Sequence, residues 1–182
     1  MNRIHEAIVF AARAHKGQVR KGTDIDYLSH PMEVLHILAS VRADVNVQIA
    51  GILHDVVEDT PYGIEDIRNE FGDDVATLVD AHTEKDKSLP WRKRKELALK
   101  HLKNADRRVK QMVFADKLAN MRSIATDFEN LGDKVFERFN AGKEDTAWFY
   151  KASIDCFSEY EHDEVMGASY SEFLWMYVKV FE

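Results

Sequence analysis

The sequence contains a single cysteine, Cys156, among its 182 residues, so no disulfide can form within the chain. No apolar run approaches the roughly 20 residues that a membrane-spanning helix needs. The first six residues are polar and charged from the start, and they lack the apolar core of a secretory signal. We therefore expect a cytoplasmic protein in a reducing compartment, without membrane association.

An excess of positive charge is also missing, because the formal net charge is −7. This balance argues against general binding to nucleic acids or to anionic membranes. Basic residues still cluster locally, in residues 16–24 and 85–95, where they could be solvated or could bind a phosphorylated small molecule. We therefore expect a small anionic partner and no nucleic acid.

Proline and glycine are scarce, with three and eight residues, and the alternating pattern of β-strands is scarce too. Apolar residues recur instead at helical spacing, which predicts an all-α protein. In the last helix this apolar stripe is suited to core packing or to a homodimer surface, and it consists of Phe173, Leu174, Tyr177 and Val178. The predicted helices with two defined ends cover residues 45–57, 73–81, 91–103 and 145–160. Further helices are predicted up to about residue 15, from a start within residues 27–31, up to residue 71, after a cap at residue 106 and after Gly167.

The central stretch is an apolar segment that leads into His54 and Asp55 and then into two more acids, Glu58 and Asp59. In a continuous helix His54 and Glu58 share one face, and Asp55 and Asp59 form a row beside it. Three carboxylates in five residues repel one another unless water or a cation compensates their charge. Two interpretations stay open at this point, a solvated acidic helix end and part of a metal site.

Two further candidate ligands stand elsewhere in the chain. His30 lies at a predicted helix start before Pro31, where it could also serve only as a cap, and Asp116 follows an apolar segment. With His54 and Asp55 they provide two imidazoles and two carboxylates. This set suits a divalent ion such as Mn²⁺ better than a closed structural zinc site, which prefers thiolates. Four protein donors would leave room for water and substrate oxygens on a six-coordinate ion.

The order His, His-Asp, Asp resembles the signature of the HD phosphohydrolase superfamily. More closely, the chain resembles the hydrolase domain of the RelA/SpoT alarmone enzymes and their small MESH1-like relatives. The resemblance implies an HD-domain helical bundle, which we expect at residues 1–160. The C-terminal residues match no part of the family pattern, and we expect a helical extension at residues 161–182 packed on the bundle. The segments that carry it are residues 10–18, 20–22, 27–31, 53–60, 71–75 and 115–122.

The resemblance also implies roles for the matching residues. The four candidate ligands, His30, His54, Asp55 and Asp116, would hold Mn²⁺, and a separate acidic pair would orient or deprotonate the attacking water. The implied acidic pair is Glu58 and Asp59. The implied substrate-binding residues are Arg20 and Lys21 for the purine and phosphates, Asn120 for the ribose, and Tyr150 for the nucleoside pocket.

The activity implied by this family is Mn²⁺-dependent 3′-pyrophosphohydrolysis of guanosine tetra- and pentaphosphate, (p)ppGpp. The products would be GDP or GTP and pyrophosphate. Two alternatives remain open: an HD-type phosphohydrolase acting on another nucleotide, such as NADPH or a dNTP, and a non-catalytic nucleotide-binding regulator. The pair Glu58 and Asp59 argues against the regulator, because binding alone requires no residues that activate water.

Overall fold

The computed structural model describes residues 2–182, and within them it contains ten α-helices, two 3₁₀ helices and no β-strand. The predicted all-α class is therefore confirmed. None of the helices described is long and apolar enough to cross a bilayer. The α-helices are α1 Arg3–Ala14, α2 Ser29–Ser40, α3 Val45–Leu53, α4 Val56–Asp59, α5 Ile64–Phe71, α6 Asp73–His82, α7 Trp91–Lys103, α8 Arg107–Leu131, α9 Lys143–Cys156 and α10 Gly167–Phe181; the 3₁₀ helices are Gly132–Arg138 and Ser158–Tyr160.

The helices form two compact units. The first contains residues up to 85 and residues 106–116, and in it α3 packs against α1, α2 and α6. The second contains residues 86–105 and 117–182, and in it α9 packs against α7 and α10. The domain boundary expected at residue 160 stays a prediction.

The prediction of one continuous helix over residues 45–57 is wrong. The helix α3 ends one residue before His54, a turn contains His54 and Asp55, and α4 follows. His54 Nδ1 lies 2.7 Å from the carbonyl oxygen of Gly51, which would accept the Asp55 N–H in an uninterrupted helix. The imidazole thus competes for this carbonyl at the point where the helix stops, and the side-chain rows expected of a continuous helix do not apply.

Ser169 and Glu172 have the spacing of a capping box, but they do not form one at the helix start, because α10 begins two residues before Ser169. The Asp163 carboxylate accepts the N–H of Met166 at 2.9 Å just before α10 begins. Glu172 instead accepts hydrogen bonds from Arg122, at 2.8 Å from both the Nε and the Nη2 atoms.

Glycine at position 51 permits close packing of α2 on α3. A Cβ atom built there would overlap Leu38 Cδ1 and would lie 3.1 Å from Val34 Cγ1, both on α2. A larger residue would therefore force these side chains, or the helix that carries them, to move. Because His30 lies at the start of α2 and His54 directly follows α3, this packing sets the separation of the two imidazoles.

A polar network connects the N-terminal ends of four helices in the first unit. Arg108 on α8 donates two hydrogen bonds to Asp74 on α6, at 2.8 and 2.6 Å, and one to Asp44 at 3.1 Å. Asn46 on α3 donates to Asp74 at 2.6 Å and accepts from Arg3 on α1 at 2.7 Å. Bidentate arginine–carboxylate pairing of this kind fixes geometry as well as adding energy.

This network predicts an acid-sensitive contribution to stability. Hydrogen bonds from Arg108, and then from Asn46, lower the pKa of Asp74 from 3.8 to about 2. The folded state therefore favours the ionised form, and the contribution of Asp74 is complete above pH 3.8 and is lost as the pH falls toward 2. Because the pair is largely exposed, Asp74→Asn should lower the free energy of unfolding by no more than about 1 kcal/mol at pH 7.

Urea unfolding of the wild type and Asp74→Asn across this pH range measures the effect, with the exposed Asp24→Asn as the control. The difference between wild type and Asp74→Asn should shrink as the pH falls below 3.8. A difference that is constant with pH would contradict the assignment.

Candidate metal centre

The four predicted ligands converge in the first unit. His30 Nε2 lies 3.2 Å from His54 Nε2, 3.1 Å from Asp116 Oδ1 and 3.7 Å from Asp55 Oδ2. His54 Nε2 lies 2.9 Å from Asp55 Oδ2 and 3.6 Å from Asp116 Oδ1. Residues from α2, from the turn after α3 and from α8 therefore present their ligand atoms to one small volume.

The cluster is shielded from solvent and its orientation is fixed. His30, His54 and Asp116 are buried, and the Asp55 side chain is 18% exposed. His54 Nδ1 donates to Gly51 O, so in the neutral imidazole, the form that binds a metal ion, the lone pair of Nε2 faces the cluster. Metal-bound histidines are commonly oriented in this way, by a hydrogen bond from the ring nitrogen that does not bind the metal to a backbone carbonyl.

The electrostatics of the cluster call for a positive charge. Burial lowers the pKa of His54, but Asp55 and Asp116 outweigh burial and set this pKa well above its ordinary value. Burial acts to raise the pKa of Asp55, yet the facing His54 holds it far below its usual range. Burial lowers the pKa of His30. The two carboxylates thus require a bound proton or a cation, and a divalent ion supplies the larger charge.

The donor atoms fit a six-coordinate divalent ion. Metal–ligand bonds of about 2.1 Å place neighbouring donors about 3.0 Å apart and opposite donors about 4.2 Å apart. The five separations between donors run from 2.9 to 3.7 Å, within this span. The nitrogen and oxygen donors suit a transition-metal ion of borderline hardness. His30, His54, Asp55 and Asp116 could therefore hold such an ion together.

Tyr27 and His15 support the cluster from behind. The Tyr27 hydroxyl donates to Asp55 Oδ2, and its pKa is raised, first by burial and then by the Asp55 charge. The Tyr27 ring lies against buried His15, with centroids 4.7 Å apart. His15 Nδ1 is in turn 2.7 Å from Gln18 Oε1. These contacts hold Asp55 in one orientation.

His82 was missed by the sequence analysis and lies beside the cluster. Its Nε2 is 3.7 Å from Asp116 Oδ2, and its ring centroid is 5.1 Å from that of His54. One ligand atom from each of His54, Asp55 and His82 also falls within 4.8 Å of the others. The helix predicted over residues 73–81 stops one residue short of His82, and only its place at a helix end could have drawn notice.

The acidic pair lies next to the cluster in sequence but in a different environment. Glu58 is half-buried, and its Oε1 accepts the Glu84 N–H at 2.7 Å. Asp59 is exposed, and its backbone carbonyl accepts from Gln18 Nε2 at 2.7 Å. Among the residues described, the groups with ligand atoms within 4.8 Å of one another include neither acid. This placement is compatible with residues that act on water and do not bind the ion directly.

Arg20 and Lys21 lie in the connection between α1 and α2. A short pair of backbone hydrogen bonds closes this loop, from Tyr27 N to Gln18 O at 2.9 Å and from Arg20 N to Ile25 O at 2.8 Å. Arg20 is half-buried and Lys21 is exposed. These bonds connect the loop to Tyr27, whose hydroxyl donates to Asp55. The backbone that carries Arg20 and Lys21 is therefore held in place.

Asn120 and Tyr150 belong to the second unit. Asn120 is half-buried and follows Asp116 by one turn of α8. Tyr150 is buried in α9, where its ring lies within 6.3 Å, between centroids, of Phe149, Phe173 and Phe181. Their roles in substrate binding stay predictions.

The chain matches the model of the HD domain family over residues 7–147, and it belongs to this family. It is 41% identical over 127 residues to a GTP pyrophosphokinase of Streptomyces coelicolor, of whose length it spans 15%. It is 40% identical over 124 residues to the guanosine-3′,5′-bis(diphosphate) 3′-pyrophosphohydrolase MESH1 of Xenopus tropicalis. This alignment covers 66% of this chain and 69% of that protein.

Two solved structures share the fold with a TM-score of 0.77 and 29% identity. One is described as a metazoan ortholog of SpoT that hydrolyses ppGpp, and the match covers 96% of this chain and 95% of that one. The other is a protein of Listeria monocytogenes, with 90% of this chain and 99% of that one covered. Because the first match covers 96% of this chain, at least part of α10 lies within the shared fold. The sequence alone had shown no counterpart for these C-terminal residues.

The hydrogen bond from Tyr27 to Asp55 predicts that removal of the Tyr27 hydroxyl weakens metal binding. Tyr27→Phe keeps the ring on His15 but removes the hydroxyl that donates to Asp55. Loss of such an orienting partner should weaken Mn²⁺ binding about 10- to 100-fold with the fold retained. Calorimetric titration with Mn²⁺ measures this, with Tyr62→Phe on the surface as the control. Equal affinity in wild type and Tyr27→Phe would show that the hydroxyl does not position Asp55.

Proposed function

We propose that this protein is a Mn²⁺-dependent hydrolase that removes pyrophosphate from the 3′ position of ppGpp and pppGpp. The observation that carries the proposal is the convergence of two imidazoles and two carboxylates on one buried volume. Relatives named as 3′-pyrophosphohydrolases of the same nucleotide support the choice of substrate. We also propose that the protein acts in the cytoplasm on this small molecule.

We assign metal binding to the clustered, largely buried residues and proton transfer to the more exposed acidic pair. His30, His54, Asp55 and Asp116 would hold the ion, which would supply positive charge to polarise a phosphoryl oxygen and lower the pKa of water. Glu58 and Asp59 accept the proton of the attacking water. The Glu84 N–H fixes one oxygen of Glu58, so this carboxylate is oriented before substrate arrives.

The reaction is the cleavage of one phosphoester bond. The water oxygen bonds to the phosphorus that is attached to the ribose 3′ oxygen, and the bond between this phosphorus and the 3′ oxygen breaks. The 3′ oxygen leaves with a proton as the hydroxyl of GDP or GTP, and the phosphorus leaves as part of pyrophosphate. The proton lost by water is held by the acidic pair and is then returned to the 3′ oxygen, so the atoms of water are divided between the two products and the pair is ionised again.

Substrate binding is assigned to basic and polar residues outside the metal cluster. We propose that Arg20 stacks on the purine, that Lys21 contacts phosphate, that Asn120 contacts the ribose and that Tyr150 borders the nucleoside. The guanidinium group suits the first role because it is planar, permanently charged and able to stack on aromatic rings. Assays with ppGpp, NADPH and dNTPs side by side separate this proposal from an HD phosphohydrolase with another nucleotide substrate.

The first test removes the proton acceptors. Glu58→Gln with Asp59→Asn preserves shape but deletes both negative charges, and a general base contributes roughly 10²- to 10⁴-fold in rate. We expect a folded variant that retains Mn²⁺ and ppGpp binding but releases pyrophosphate at least about 100-fold more slowly. The measurement is kcat from pyrophosphate release, with metal content and nucleotide affinity taken on the same preparation.

The control is the double change Glu70→Gln with Glu164→Gln, which removes two exposed carboxylates elsewhere. Its turnover should match the wild type. Turnover near the wild-type level in the Glu58 and Asp59 variant, with metal bound, would place the base elsewhere. Loss of metal together with activity would make one of the two acids a ligand.

A second test concerns Arg20. Stacking on the base acts in the ground state and the transition state alike, so Arg20→Ala should raise KM more than it lowers kcat. Steady-state kinetics on ppGpp measures both constants, with the exposed Arg13→Ala on α1 as the control. An unchanged KM would show that the Arg20 side chain points into solvent.

A further inference from the structure

His82 is the last residue of α6, and its side chain turns inward. Histidine at a helix C-terminus commonly stays near the surface, where its positive form interacts with the exposed carbonyls. Here the side chain is only 12% exposed, and Nε2 is directed at the buried carboxylate of Asp116. The burial of this side chain and its position beside Asp116 therefore need an explanation that the helix end alone does not provide.

Three imidazoles follow one another across the cluster. The ring centroids of His30 and His54 are 5.1 Å apart, and those of His54 and His82 are also 5.1 Å apart. The interplanar angles are 68° and 70°, so each ring points its edge toward its neighbour. His82 therefore continues the row that the two predicted histidine ligands begin.

The two oxygens of the Asp116 carboxylate face different histidines of this row. Its Oδ1 lies 3.1 Å from His30 Nε2 and 3.6 Å from His54 Nε2, whereas its Oδ2 lies 3.7 Å from His82 Nε2. On the other side, one ligand atom from each of His54, Asp55 and His82 lies within 4.8 Å of the others. The three distances from the Asp116 oxygens lie between the values expected for neighbouring and opposite donors around one six-coordinate ion, about 3.0 and 4.2 Å.

The backbone around His82 is held in place. Thr83 donates both its N–H and its hydroxyl to Val79 O, at 3.1 and 2.9 Å, which closes the end of α6. The next residue, Glu84, donates its N–H to Glu58 at 2.7 Å. The end of α6 is thus fixed to the segment that carries the acidic pair, and His82 has a defined position.

We propose that His82 is a fifth protein donor to the metal ion, and this inference rests on the proposed metal centre. Five protein donors leave one position of a six-coordinate ion for water or substrate, where four would leave two. A third imidazole also shifts the donor set toward the transition-metal ions that imidazole suits, and away from Mg²⁺.

The first experiment needs only the wild-type protein. Pulsed electron paramagnetic resonance of the Mn²⁺-loaded chain resolves the nitrogens bonded to the ion, and labelling histidine with ¹⁵N identifies them as imidazole. The expected result is three imidazole nitrogens. A count of two overturns the proposal for His82 but leaves His30 and His54 as ligands, whereas failure to bind Mn²⁺ at all would remove the metal centre itself.

The second experiment compares His82→Phe, which keeps a planar ring, with the exposed control His36→Phe. The expected result for His82→Phe is loss of one bonded nitrogen, an altered visible spectrum of bound Co²⁺, and Co²⁺ affinity lower by at least about 10-fold. The control should show none of these changes, and circular dichroism reports on the fold of both. An unaltered Co²⁺ spectrum in His82→Phe would show that this imidazole is not bonded to the ion.

Discussion

The structure of the first unit depends on one electrostatic constraint. Two carboxylates, Asp55 and Asp116, lie with two imidazoles in a largely buried volume, with donor atoms 2.9 to 3.7 Å apart. Buried carboxylates are costly unless a positive charge compensates them. A proton on His54 provides part of this charge, and a divalent ion provides more. The same constraint therefore explains the perturbed pKa values, the oriented tautomer of His54 and the proposed chemistry.

The surrounding helices are arranged to meet this constraint. The helix α3 stops at His54, which gives up regular geometry but turns two ligands toward the cluster. Gly51 lets α2 approach closely enough to bring His30 to within 3.2 Å of His54. Tyr27 then orients Asp55, and the Glu84 N–H orients Glu58. Local irregularities that would weaken an ordinary helical core are concentrated here, as expected where function outweighs stability.

Much of this could be predicted from sequence, because helical periodicity and the His, His-Asp, Asp spacing are local or strongly patterned signals. The all-α class is confirmed, and the four predicted ligands do converge. The break at His54 could not be predicted, because it depends on a side chain competing for the Gly51 carbonyl. His82 was missed because a single histidine at a helix end has no pattern, and only tertiary packing brings it to Asp116.

The most direct test of this account is a crystal structure of the protein grown with Mn²⁺, with diffraction data collected on both sides of the manganese absorption edge. The account predicts one strong anomalous peak per chain within bonding distance, about 2.1 Å, of donor atoms from His30, His54, Asp55 and Asp116. A cluster without such a peak under saturating Mn²⁺, with its imidazoles and carboxylates hydrogen-bonded only to one another, would contradict it.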